Sequence, residues 1–173
     1  FLFNRNQPTA IAGAWQRLAP HLREDDQQLV LVYLHQLVRA GDSDQAVIVW
    51  NDACRSKILP FQPFTPSRVN LITNPDFEFE PSDQALDWRY PPENGGRWRH
   101  FDGSASEYRL ELELSRDHPE QAEFLVQVVP VEPETDYQFQ SQYHTVELSD
   151  PTGMFWLATD SAGRPLARSR SME

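Results

Sequence analysis

The sequence predicts a chain of helices followed by an antiparallel β-sandwich, and three observations carry that expectation. Apolar residues recur at helical spacing before residue 60 and at every second position in stretches beyond residue 100. Charge changes at the same place. Residues 1–59 carry six Lys/Arg and six Asp/Glu, whereas residues 60–173 carry nine Arg against twenty Asp/Glu, which is the whole net charge of −11. Seven of the 14 prolines lie between Pro60 and Pro92, and the run Pro60-Phe-Gln-Pro-Phe-Thr-Pro66 excludes helix. The expected organisation is a helical part over residues 1–59, a proline-rich connector over 60–69 and a sandwich over 70–173.

The first helix is expected to open at Pro8 and to carry Ile11, Trp15 and Leu18 before Pro20 stops it. The second begins at Asp25 or Asp26, whose carboxylates suit the positive end of the helix dipole. It runs through Leu29, Tyr33, Leu34, Leu37 and Val38 to Gly41, a residue able to take the left-handed conformation after a helix end. The third starts at Asp42 or Ser43, with Gln45 at the capping-box position, and places Ala46, Val49, Trp50, Ala53 and Cys54 on one side.

The strands follow from alternation. Tyr108, Leu110, Leu112 and Leu114 alternate with Arg109, Glu111 and Glu113, so one face is wet. Residues 124–129 form a second strand, and Tyr137, Phe139, Ser141 and Tyr143 alternate with Gln138, Gln140, Gln142 and His144. Residues 154–158 and 165–169 flank Thr-Asp-Ser-Ala-Gly-Arg, a hairpin turn around Gly163. Shorter strands are expected at 77–79, 87–90 and 98–101.

Composition excludes several classes. The longest apolar run, Leu29 to Leu34, falls far short of the ~18 residues of a membrane span. The negative charge argues against nucleic acid as a partner. A single cysteine, Cys54, rules out an internal disulfide and a cysteine metal cluster. The chain starts at Phe1 without an initiator Met and reads as a piece of a longer protein. It contains no His-Glu-x-x-His, no Gly-x-Ser-x-Gly and no phosphate-cradling glycine loop, so the expected reading is non-enzymatic. His21, His35, His100, His118 and His144 lack ligand spacing. Glu111 and Glu113 alternate with leucines, the pattern of a solvated face rather than of a converging glycosidase pair.

Two resemblances refine the picture. Residues 27–60 are similar to one 34-residue tetratricopeptide repeat, with Gly41 at the interhelical glycine and Ala46, Trp50 and Ala53 as the small-aromatic-small set. Val30, Tyr33 and Leu34 depart from the usual Trp, Leu and Gly, and Ala12 and Ala19 stand 34 residues before Ala46 and Ala53. The stretch Asn70-Leu-Ile-Thr-Asn-Pro-Asp-Phe-Glu78, followed by Trp88, resembles the opening of galactose-binding-like jelly rolls. Residues 129–137 and 155–166 are similar to later hairpins of that fold, in order. The resemblance implies an antiparallel sandwich of jelly-roll type that continues past residue 173, an extracytoplasmic setting and, at Asp76 and Glu78, a corner where related folds hold structural calcium. Calcium needs about six to eight oxygens, so these carboxylates fit an acidic edge as well. No other cofactor is implied.

The aromatics over residues 88–101 are the candidate ligand site. Trp88, Tyr90 and Trp98 offer rings for stacking on sugar faces, and Arg89, Arg97, Arg99 and Asp87 offer hydrogen bonds to hydroxyls. Trp98 and His100 share a strand face, however, and in a sandwich this small such rings serve mostly as packing. The expected function is a non-catalytic module binding a glycan or polysaccharide within a larger extracytoplasmic protein. The alternatives are a protein-interaction scaffold and an accessory domain of a carbohydrate-active enzyme.

Overall fold

The structure, a computed structural model, describes residue 13 and residues 15–65, 70–91, 96–101, 109–114, 122–146 and 153–172. Residues 15–18 are helical and lead through two short 3-10 turns, Ala19–His21 and Glu24–Asp26, into α1 (Gln27–Ala40) and α2 (Ser43–Arg55). Among the described residues four strands follow: β1 (Gly96–Phe101), β2 (Arg109–Leu114), β3 (Leu157–Thr159) and β4 (Pro165–Arg168). They pair antiparallel as β1–β2 and β3–β4, two small sheets of two strands each. The order of helices and then antiparallel strands is the one that the sequence predicts. Among the described residues no helix is long and apolar enough to cross a membrane.

The helix ends form as their residues dictate. Gly41 takes φ 74°, and the bonds Gly41 N–H to Val38 O (3.1 Å) and Asp42 N–H to Leu37 O (3.0 Å) close α1. Asp42 then caps α2 by accepting from Gln45 N–H. At the far end Lys57 adopts φ 58° without being glycine, which lets Ile58 N–H reach Ala53 O at 2.9 Å. The buried stripe of α1 is Val30, Leu31, Tyr33, Leu34 and Leu37. Leu29, expected in that stripe, is exposed, because the neighbours of α1 cover the side of the helix on which Val30 and Leu31 stand.

The chain forms two compact units, Phe1–Glu132 and Pro133–Glu173. The division falls at residue 132 rather than at the proline-rich connector, because the connector is woven into the first core. Trp50, 0% exposed, stacks on Phe61 with centroids 5.3 Å apart and planes 8° apart, and Phe64 lies 6.1 Å away. Phe61 in turn meets Phe79 edge-on at 5.7 Å. The buried Asn51 carboxamide grips the same segment: its Nδ2 donates to Phe64 O at 2.8 Å, and Phe64 N–H donates to its Oδ1 at 2.6 Å. On another side of the hairpin Trp15 stacks on Tyr33 at 5.6 Å and donates its Nε1–H to Asp52. Cys54 is a buried thiol of this core.

Other expected strands take a different form. Residues 77–79 make no strand, and Phe77 has φ 53°. Residues 87–90 and 124–129 meet through one isolated bridge, Arg89 to Val126. Residues 138–143 pair with no strand among the described residues, since alternation alone makes no strand without a partner edge. Pro8, Ile11, Pro66 and Tyr108, all used in the sequence argument, lie outside the described residues.

Two substitutions test the core. Trp50→Ala is expected to cost about 3–5 kcal/mol, the range for emptying a buried aromatic site. Asn51→Ala removes both buried hydrogen bonds to the Phe64 main chain, at about 1–3 kcal/mol each. Asn51→Asp rescues only part of this loss, since a carboxylate has no N–H for Phe64 O. Urea unfolding curves of the three variants check all of it.

Candidate functional site

The segment 70–91 turns back on itself several times, and side chains supply the bonds that a regular strand would take from a neighbour. Asn74 Nδ2 donates to Phe79 O at 2.7 Å and Phe79 N–H donates to Asn74 Oδ1 at 3.1 Å, closing a five-residue loop. Asn74 and Phe77 both have φ near 50°, a region that asparagine tolerates and phenylalanine does not favour. Gln127 treats Thr73 in the same way: it accepts from Thr73 N–H (3.1 Å) and donates to Thr73 O (2.9 Å). His100 of β1 donates from Nε2 to Phe77 O at 2.7 Å.

Trp88 belongs to this lock. It is 5% exposed, donates Nε1–H to Asn74 O at 3.1 Å and packs on Phe77 at 5.6 Å. The Asn-Pro-Asp-Phe-Glu stretch and the later Trp therefore meet for a structural reason, and Trp88 offers no ring face to a ligand. Tyr90 and Trp98 differ: both are half-buried, and they stack on each other at 5.4 Å and 23°.

Arg97 does not join them. In the β1–β2 register Gly96, Trp98 and His100 face the half-buried side opposite Leu114, Leu112 and Leu110, while Arg97 and Arg99 stand on the exposed side opposite Glu113 and Glu111. Arg99 is paired with Glu113 at 2.9 Å on that outer face. Arg89 comes closer to α1. Its guanidinium, with Arg39, helps to push the His35 imidazole below its ordinary value, although burial of His35 is the larger cause; Asp83 opposes them. Arg89 Nε and Trp98 Nε1 are both shielded from water and without a hydrogen-bond partner.

Carboxylates stand near Tyr90. Asp83 accepts Tyr90 N–H at 2.7 Å, and Asp83 and Ala85 both have positive φ, 58° and 56°. Burial first, then Asp87, Glu80 and Asp83, push the Tyr90 phenol well above its usual range, so it stays a neutral hydrogen-bond donor. Asp87 is 0% exposed; its Oδ2 accepts Ser82 N–H at 2.7 Å, and its Oδ1 has no partner. Burial raises its pKa, and the bonds from Ser82 and Trp88 N–H offset part of that rise. Asp76 and Glu78 are exposed, and among the described residues no three His, Cys, Asp or Glu side chains gather where a metal would sit.

The structure brings together Tyr90, Trp98 and Asp83, with Glu80 near enough to act on the Tyr90 phenol; it turns Arg89 toward His35 and leaves Trp88 and Arg97 out. Sequence reasoning missed Asp83. Its only signal is the polar run Ser82-Asp83-Gln84 between Pro81 and Ala85, which marks a turn but not that the turn returns to Tyr90. Chemically the arrangement offers two rings, a neutral phenol and acidic acceptors. No known protein family, curated protein or solved structure matches the chain.

Asp87 gives this region a pH dependence. Because its folded pKa lies above the ordinary 3.8, the folded state holds the proton more tightly than the unfolded chain. Its contribution to stability is fully present below pH 3.8 and is lost as pH rises through the raised folded value. Asp87→Asn keeps an acceptor for Ser82 N–H without the charge. The variant is expected to gain stability over wild type as pH increases, and paired urea melts from acidic to neutral pH read the difference.

Proposed function

We propose that the chain is a non-catalytic module for neutral glycans, built as a galactose-binding-like sandwich of jelly-roll type behind tetratricopeptide-like helices, within a larger extracytoplasmic protein. The observation that carries this reading is the half-exposed Tyr90–Trp98 pair beside Glu80 and Asp83. Stacked rings bind the apolar face of a sugar, and carboxylates accept from its hydroxyls. A net charge of −11 and these carboxylates repel uronates and sulfated sugars, which selects neutral chains. Shallow sites of this kind win little over the entropy of holding a sugar, so affinities of roughly −4 to −8 kcal/mol are expected.

A second reading, the protein-interaction scaffold, draws support from the second compact unit. Tyr137, Phe139, Tyr143, Leu157 and Leu166 are all exposed there. Large exposed apolar groups of this sort mark contact with another polypeptide.

Glycan binding is tested by titrating neutral oligosaccharides while following tryptophan emission. Tyr90→Phe, which keeps the ring and removes the hydroxyl, is expected to weaken binding about tenfold, or 1.4 kcal/mol. Glu80→Ala is expected to do the same while shifting stability by no more than about 0.5 kcal/mol, as surface changes usually do. A wild-type protein that answers to no neutral glycan of a broad array overturns the reading.

A further inference from the structure

The second compact unit contains a segment written to pair with itself. Read outward from Gln140, the residues on the two sides correspond: Phe139 with Ser141, Gln138 with Gln142, Tyr137 with Tyr143, Asp136 with His144 and Thr135 with Thr145. A two-fold antiparallel pairing centred on Gln140 sets each of these residues opposite its counterpart in a second copy. Tyr then faces Tyr, Thr faces Thr, Gln faces Gln, and a carboxylate faces an imidazole. Those are the cross-strand pairs that stabilise antiparallel sheets.

The segment is presented for such pairing. Residues 135 to 144 are all exposed. From Gln138 to Val146 no main-chain group bonds to another main-chain group among the described residues. Phe139 and Ser141, two apart as alternate residues of a strand would be, reach the same Trp156. Phe139 meets its ring edge-on at 5.1 Å, and Ser141 Oγ accepts its Nε1–H at 2.8 Å. Trp156 thus holds one side-chain face, and from Gln138 to Val146 the main-chain edge has no main-chain partner among the described residues. No Asp, Glu, Lys or Arg occurs from Tyr137 to Val146, so two copies of a chain with net charge −11 meet there without like charges in register.

We propose that this chain forms a two-fold homodimer by antiparallel pairing of residues 135–145 about Gln140. An isologous contact of this kind requires a surface complementary to itself, and the near-palindrome supplies one. It also closes an open aromatic edge that would otherwise invite indiscriminate strand pairing. The proposal uses a different surface from the glycan reading and stands or falls separately from it.

Sedimentation equilibrium of the full chain over a wide concentration range is the test, with circular dichroism to confirm that each variant folds. Wild type is expected to show a reversible monomer–dimer equilibrium. In the double variant Gln138→Glu, Gln142→Glu, acid faces acid twice across the two-fold, and dimerisation is expected to weaken at least tenfold. In Gln138→Glu, Gln142→Lys, opposite charges face each other twice, and the dimer is expected to persist. A wild type that is monomeric at all concentrations overturns the proposal. So does a dimer that responds equally to both double variants, because its contact then lies elsewhere or in another register.

Discussion

The structure of the first unit depends on one side chain that imitates a strand. The Asn51 carboxamide meets both main-chain groups of Phe64 from the middle of a helix, at 2.8 and 2.6 Å, in a buried site. Main-chain groups leaving water need partners, and a connector with three prolines in seven residues has no ladder to provide them. With Asn51 holding Phe64, Phe61 lies flat on Trp50 and its other side receives Phe79. Helices, connector and the start of the β part thereby share one core. The same device recurs at Asn74 with Phe79 and at Gln127 with Thr73. Three carboxamides do locally what a continuous sheet does elsewhere.

Irregular backbone is the consequence, and it shapes the candidate site. Asn74, Phe77, Asp83 and Ala85 all adopt left-handed conformations within twelve residues. Non-glycine residues hold such conformations only where the surroundings over-determine them. Here the surroundings are the Asn74 clamp, the Trp88 bond, the His100 bond and the buried Asp87 carboxyl. These turns carry Asp83 and Glu80 toward Tyr90 and leave the Tyr90–Trp98 pair half-open.

The second unit follows a different logic. Its hairpin is set by Asp160, which accepts from the N–H groups of Ala162 and Arg164 and from the Arg164 side chain, while Gly163 takes φ 76°. Beyond that turn it has little interior, and none of its described residues is buried. An isolated two-stranded hairpin is marginal in water. Its exposed aromatics stand on a unit that supplies little core of its own.

By itself the sequence determined what depends on neighbours along the chain. The α1–α2 hairpin, its ends at Gly41 and Asp42, the alternating faces of β1 and β2 and the turn at Gly163 all follow from local spacing and from residues with special backbone preferences. The order of helices and then strands was legible for the same reason. What lay beyond it were the pairings that join distant residues. Trp88 looked like a sugar platform as readily as core, and Arg97 like its neighbour, until Asn74 and the β1–β2 register assigned them to opposite fates. Asp83 could not be recognised beside Tyr90, nor residues 60–65 as part of the helical core. Such contacts come from side chains bonding main chain far away, which no periodicity records. Only the tertiary structure decided them, because burying polar main chain demands a partner without specifying in sequence which residue it will be.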